Sequence, residues 1–203
     1  MEHQNNFTLE KFEKKEFYGG AISCILPNRF MDMSELRQVP DYQEVHHDIS
    51  TDQCFICEIL SFDSEKDSQE NALSHFKILS EDNDDQTGGT IYSHQSLDTK
   101  YLNDLGEGAS AYIVYGNQKI SKFKEQAKNS VDIYLVSLRI PSKETDILIT
   151  YSVPVNINTW SSSFPVLDKL PNYQFAAENA NFAQKVLEKA ITSFEIKDWS
   201  LFG

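Results

Sequence analysis

The stretch 131–155 restricts this chain more than any other part of its sequence. Two apolar runs, 131–140 and 145–155, flank Pro141-Ser142-Lys143-Glu144, a connection of hairpin length. In the second run Ile147, Ile149, Tyr151, Val153 and Val155 alternate with their neighbours, so one face of an extended strand is continuously apolar. A chain carrying such a pair has to bury it in a largely antiparallel sheet. The segment 174–194 offers a cover. There Phe175, Phe182, Ala183, Val186, Leu187, Ala190 and Phe194 recur at helical spacing, behind Pro171 and Asn172 as start signals.

Shorter signals extend the sheet. Ala21-Ile22-Ser23-Cys24-Ile25-Leu26 is an apolar run stopped by Pro27, and 53–62 and 109–114 are rich in branched and aromatic side chains, so each reads as a strand. Between the first two, 28–52 reads as irregular, with Phe30, Met31, Met33, Leu36 and Val39 as apolar anchors. Pro40 biases Val39 towards an extended conformation. The stretch 63–85 holds eight acids against Lys66 and Lys77. It is expected to form a short helix over 65–74, a strand over 75–79 and an acidic loop closing at Gly88-Gly89. Residues 1–16, with only Phe7, Leu9 and Phe12 as apolar points, read as a flexible arm, leaving 17–203 as one domain. At 203 residues the chain can bury roughly 70% of its unfolded surface without a metal or disulfide.

Charge narrows the partners. Lys plus Arg is 18 and Asp plus Glu is 31, a net charge of −13. That excludes the basic footprint needed against nucleic-acid phosphates or an anionic membrane and favours a basic protein partner. The apolar fraction of 40%, of which many are aromatic, is too high for a disordered acidic chain. No apolar stretch approaches the ~20 residues that span a bilayer, and the first seventeen residues lack a secretory apolar region. Three cysteines, an odd and low number, suit free thiols in a reducing compartment. The expectation is a soluble intracellular protein.

Chemical motifs are weak. Gly106-Glu107-Gly108-Ala109-Ser110-Ala111 fits G-x-G-x-x-A, but it precedes a strand instead of following one, so it reads as a turn. Cys54 and Cys57 have metal-site spacing, yet within a strand positions i and i+3 face opposite sides. His46 and His47 read as exposed strand or loop residues. No nucleophile elbow, phosphate loop or zinc-protease motif occurs. Nothing points to an enzyme, a cofactor or a metal.

The remaining segment, 18–45, gathers Asp32, Glu35, Asp41 and Glu44 around Arg37, between Pro27 and Pro40. An ordered acid-bearing loop on rigid strands is a natural docking surface. The segment also resembles the signature of the Ran guanine nucleotide release factor family, the Mog-type nuclear import factors. The matching residues are Tyr18-Gly19-Gly20-Ala21, Leu26-Pro27, Asp32, Leu36-Arg37 and Val39-Pro40-Asp41-x-Gln43-Glu44-Val45. Weaker echoes lie at 118–128, at 145–150 and at Leu201-Phe202-Gly203.

The resemblance implies an α/β fold, a single-domain α/β/α sandwich with a twisted, mainly antiparallel central sheet of the Mog/PsbP type. It also implies binding of the small GTPase Ran and promotion of nucleotide release from it, in support of nuclear import, by a regulator without covalent chemistry. Asp32, Asp41 and Glu44 correspond to the Ran-facing acids. Arg37 lies in the same motif, either as a contact or as a group that orients the acids through ion pairs. A monomer in nucleus and cytoplasm is expected, with the need for a second Ran-binding protein left open. The alternative is an adaptor using the same acidic surface for trafficking or signalling partners.

Overall fold

The computed structural model describes residues 11–98, 102, 105–121, 126–162 and 172–203. In chain order the strands are β1 (Phe12–Phe17), β2 (Ile22–Pro27), β3 (Met31–Asp32), β4 (Gln43–Asp48), β5 (Gln53–Ser61), β6 (Thr90–Leu97), β7 (Ser110–Ser121), β8 (Lys128–Ile140), β9 (Thr145–Asn156) and β10 (Glu195–Ile196). The helices are α1 (Ser68–Asp82) and α2 (Asn172–Thr192). The expected hairpin is the middle of the molecule: β8 and β9 lie at the centre of a seven-stranded antiparallel sheet ordered β3-β4-β5-β9-β8-β7-β6. Its connection, Pro141–Lys143, is one 3₁₀ turn, closed by Glu144 in the left-handed region at φ +48°.

Each face of the sheet is covered, which gives the expected α/β/α layering. Ala72 and Phe76 of α1 bury Tyr112, Val114, Val131, Ile133, Leu135 and Leu148 on one face. On the other, Ala183, Val186, Leu187 and Ala190 of α2 and the apolar side of a small sheet, β1-β2-β10, enclose Phe55, Cys57, Tyr134, Ile147, Ile149 and Tyr151. The alternation in β9 thus sorts residues between two cores. Within the second core a cross-strand row joins Tyr115, Tyr134, Tyr151 and Phe55, successive partners in the register, with ring centroids 4.6, 6.0 and 6.2 Å apart. Such pairs add to the stabilisation that area burial provides.

Several expectations change. The 63–85 segment contains a single helix, and 75–79 is not a strand. Asp67 accepts from the Glu70 amide while the Glu70 carboxylate accepts from the Asp67 amide, a capping box that starts the helix. Asn71, Ala72, Phe76 and Ser80 then form one buried stripe of helical period. Gln43–Asp48, read as irregular, is β4, and Thr90–Leu97 is an edge strand. Residues 12–16, read as part of the arm, pair in full with β2, although FEKKEF shows no apolar alternation. The strands are joined by the Tyr18–Gly20 turn, and long-range ion pairs reinforce the hairpin: Lys14 meets Glu195 at 3.1 Å and Glu16 meets Lys197 at 3.0 Å, charges from the far end of the chain. Residues 1–10 of the expected arm lie outside the described residues.

One buried ion pair fixes how α1 sits. Arg139 and Asp146, opposite each other on β8 and β9, approach to 3.1 Å at side-chain exposures of only 4% and 2%. The guanidinium lies 4.3 Å over the Phe62 ring and donates to the carbonyls of Asp63 and Lys66. Asn71 of α1 donates to Asp146 and to Ser137. The loop before α1 and its first turn are therefore bonded to the central hairpin. Every polar group in that contact has a partner, as burial requires.

Candidate protein-binding site

The site is built on the turn between β1 and β2. Tyr18, Gly19 and Gly20 all have positive φ, at 52°, 63° and 93°. For a tyrosine that conformation is costly, and the surroundings hold it in place. Its amide donates to Glu44 Oε1 at 2.6 Å, and its hydroxyl lies 2.9 Å from the carbonyl oxygens of both Tyr42 and Cys57. Tyr18 thus ties the small sheet to β4 and β5 of the large one. Burial, with Cys57, Glu44 and Glu58 nearby, keeps its phenol protonated well above the ordinary range.

From this anchor the chain makes an excursion, 31–42, at the outer edge of the large sheet. Met31 and Asp32 pair with His47 and His46, so Asp32 shares a face with His46 and Glu44. Asp32 caps a 3₁₀ turn by accepting from the Ser34 amide at 2.8 Å, and the Met33 carbonyl accepts from both Leu36 and Arg37 amides at 3.0 Å. The Pro40 carbonyl accepts from the Gln43 amide at 2.9 Å, which closes the excursion into β4. Backbone hydrogen bonds and the Asp32 cap set its shape.

The five sequence-derived residues therefore divide. Glu35, Arg37 and Asp41 are exposed on the excursion, whereas Asp32 and Glu44 are half-buried beneath it. Burial raises the Glu44 carboxyl above its ordinary value; the Tyr18 amide opposes this and Asp32 reinforces it. Arg37 makes no ion pair among the described residues, so the geometry does not use it to orient the acids. A further carboxylate lies next to the patch: Glu58 on β5 accepts from Gln43 at 2.5 Å, with its pKa raised by burial. Its alternate position opposite Gln43 is fixed by strand register, which the sequence pattern alone did not give.

Two other readings change or hold. His46 is buried, not exposed. Its ring centroid lies 4.7 Å from that of Phe17, and among the described residues its Nδ1 has no hydrogen-bond partner. Cys54 and Cys57 lie on the uninterrupted β5, the first half-buried and the second in the core, so the spacing does not converge them. Gly106 and Gly108 take φ of 88° and 76° in a turn ahead of β7, as their order along the chain predicts.

Residues 15–154 match the model of the family described as Ran-interacting Mog1 protein. The chain belongs to the Mog1 family. The match contains both the Tyr18–Glu44 contact and the excursion, and it covers the large sheet up to the last strand. Among Mog1-family relatives, the zebrafish (Danio rerio) protein named Ran guanine nucleotide release factor is 38% identical over 151 residues, covering 73% of this chain and 82% of that protein. The Saccharomyces cerevisiae Nuclear import protein MOG1 is 26% identical over 199 residues, covering 93% and 84%. In fold, the chain is similar to the crystal structure of the S. cerevisiae Ran-binding protein Mog1p, with a TM-score of 0.59, 24% identity and coverage of 96% and 100%. The Mog1 fold thus accounts for both faces of the sheet, including the α2 side that the family match itself does not reach.

Proposed function

We propose that this protein binds the small GTPase Ran through the surface carrying Asp32, Glu35, Arg37, Asp41 and Glu44 and promotes release of the bound guanine nucleotide, in support of nuclear protein import. The observation that carries the reading is the excursion itself. It is an acid-bearing, backbone-braced edge on a member of the Mog1 family, in a chain of net charge −13. Acidic groups preorganised on a rigid edge steer a basic partner and raise its association rate.

The mechanism is reciprocal displacement. Acids of the excursion engage Lys and Arg groups that otherwise hold the nucleotide phosphates, so bound factor and bound nucleotide weaken each other by the same factor. The protein is then a regulator that makes and breaks no covalent bond. It acts as a monomer, since its charge opposes self-association, in both nucleus and cytoplasm. Whether a second Ran-binding protein assists is a question for the same assay with that protein added.

The test follows release of a fluorescent GTP analogue from purified Ran with increasing amounts of this protein. Glu35→Lys/Asp41→Lys is the variant of choice, because both side chains are exposed and neither supports the fold. Acceleration by the wild type that this reversal abolishes is the expected result. Acceleration that survives the reversal moves the site elsewhere, and no acceleration with no binding removes the Ran reading.

A further inference from the structure

The excursion carries exposed apolar groups, two of which, Met31 and Leu36, read as apolar anchors in the sequence. Met31, Leu36 and Tyr42 are 46%, 60% and 52% exposed. Of eight large apolar side chains that stand exposed among the described residues, these three fall within 31–42. Scattered surface leucines need no explanation, but a cluster amid charges on one short segment does. Phe30, by contrast, is fully buried, the anchor the sequence expected, whereas Met31 and Leu36 are not.

We infer that Leu36 and Tyr42 are the apolar contact residues of the same docking surface, with the neighbouring acids as its polar rim; Met31, opposite His47, lies on the other face of the sheet from Asp32 and Glu44. The inference rests on the Ran reading above and deepens it. Charged groups at a rim mainly set the encounter rate and the salt dependence, whereas desolvated apolar and aromatic anchors hold a complex together. The acids Glu35 and Asp41 are exposed and immediately precede Leu36 and Tyr42 in sequence, so each apolar side chain has a charge beside it. The segment is also braced before it binds. Asp32 caps the turn, the Met33 carbonyl holds the amides of Leu36 and Arg37, and the Tyr42 carbonyl accepts from both the Ile59 amide and the Tyr18 hydroxyl at 2.9 Å. Little conformational freedom is left to lose, so buried apolar area converts efficiently into affinity. The partner that fits is a basic protein with a shallow apolar depression among its lysines and arginines.

The two components separate kinetically. Association and dissociation of Ran would be recorded at low and high salt for the wild type, Leu36→Ser, Tyr42→Ser and Asp41→Lys. Thermal unfolding of each variant would serve as a fold control. Leu36→Ser is expected to speed dissociation about tenfold, with association and its salt dependence nearly unchanged. Asp41→Lys is expected to slow association and flatten the salt dependence. Dissociation unchanged in both serine variants, while Asp41→Lys still weakens binding, would overturn the apolar component and leave the Ran reading standing. A wild type that does not bind Ran at all overturns both.

Discussion

Glu44 accepts the main-chain amide of Tyr18 at 2.6 Å, across twenty-six positions of sequence. Two parts of one sequence signature are therefore in contact, and the glutamate has a structural duty beside any contact with a partner. Charge reversal at Glu44 would confuse the two. Substitution by glutamine separates them, because the amide oxygen still accepts while the charge is gone.

Glu44→Gln is expected to unfold in urea close to the wild type, whereas Glu44→Ala, which leaves the Tyr18 amide without its acceptor, should lose about 1–3 kcal/mol. Both should bind Ran less well. Equal stability of the alanine variant would show that solvent satisfies the amide and that the strained Tyr18 turn holds itself.

Gly116 on β7 lies under α1. A Cβ there would collide with the Thr90 carbonyl oxygen and meet the Phe76 ring at 2.6 Å. Gly116→Ala should therefore cost about 2 kcal/mol or more, measured by chemical denaturation. Phe76→Leu in the same chain should not restore it, since the backbone oxygen remains in the way.

The Arg139–Asp146 pair makes a sharper case. Asp146→Ala leaves a buried guanidinium without its carboxylate and should destabilise by about 3–5 kcal/mol. Replacing both residues with apolar side chains of similar size should cost much less. A single variant as stable as the double one would contradict the account of α1 docking given above.

His46 predicts a pH dependence. Burial lowers its pKa from 6.5 to about 4, partly offset by Asp32. The unfolded chain therefore takes up a proton at pH values where the folded state does not. Wild-type stability should fall as pH drops from 6.5 towards about 4, by up to about 3 kcal/mol from this group, and should not change through it above pH 6.5. His46→Leu should flatten the melting temperature across that window. A slope that persists unchanged would assign it to other groups.

Some of this was legible in the sequence. The central hairpin followed from the alternation of Ile147, Ile149, Tyr151 and Val153, and α2 from its helical stripe, because both are local periodicities that each element carries within itself. The acidic segment around Arg37 was visible for the same reason: its prolines, turn residues and charges are adjacent. The capping box at Asp67 and Glu70 was also present in the sequence and would have shown that 75–79 continues a helix.

Only the tertiary structure decided the rest. FEKKEF has no apolar alternation of its own; it becomes a strand because the Tyr18–Gly20 turn folds it back on β2 and two charges near the C-terminus hold it there. His46 enters the core because strand register chooses its face, and a one-position change in register exchanges inside for outside; Leu36, on the turn that follows Met33–Glu35, is left exposed. The sequence by itself determined which residues could form a sheet, a helix and an acidic loop. Which of them meet, and so which side chains are left for a partner to touch, depended on contacts between segments far apart in the chain.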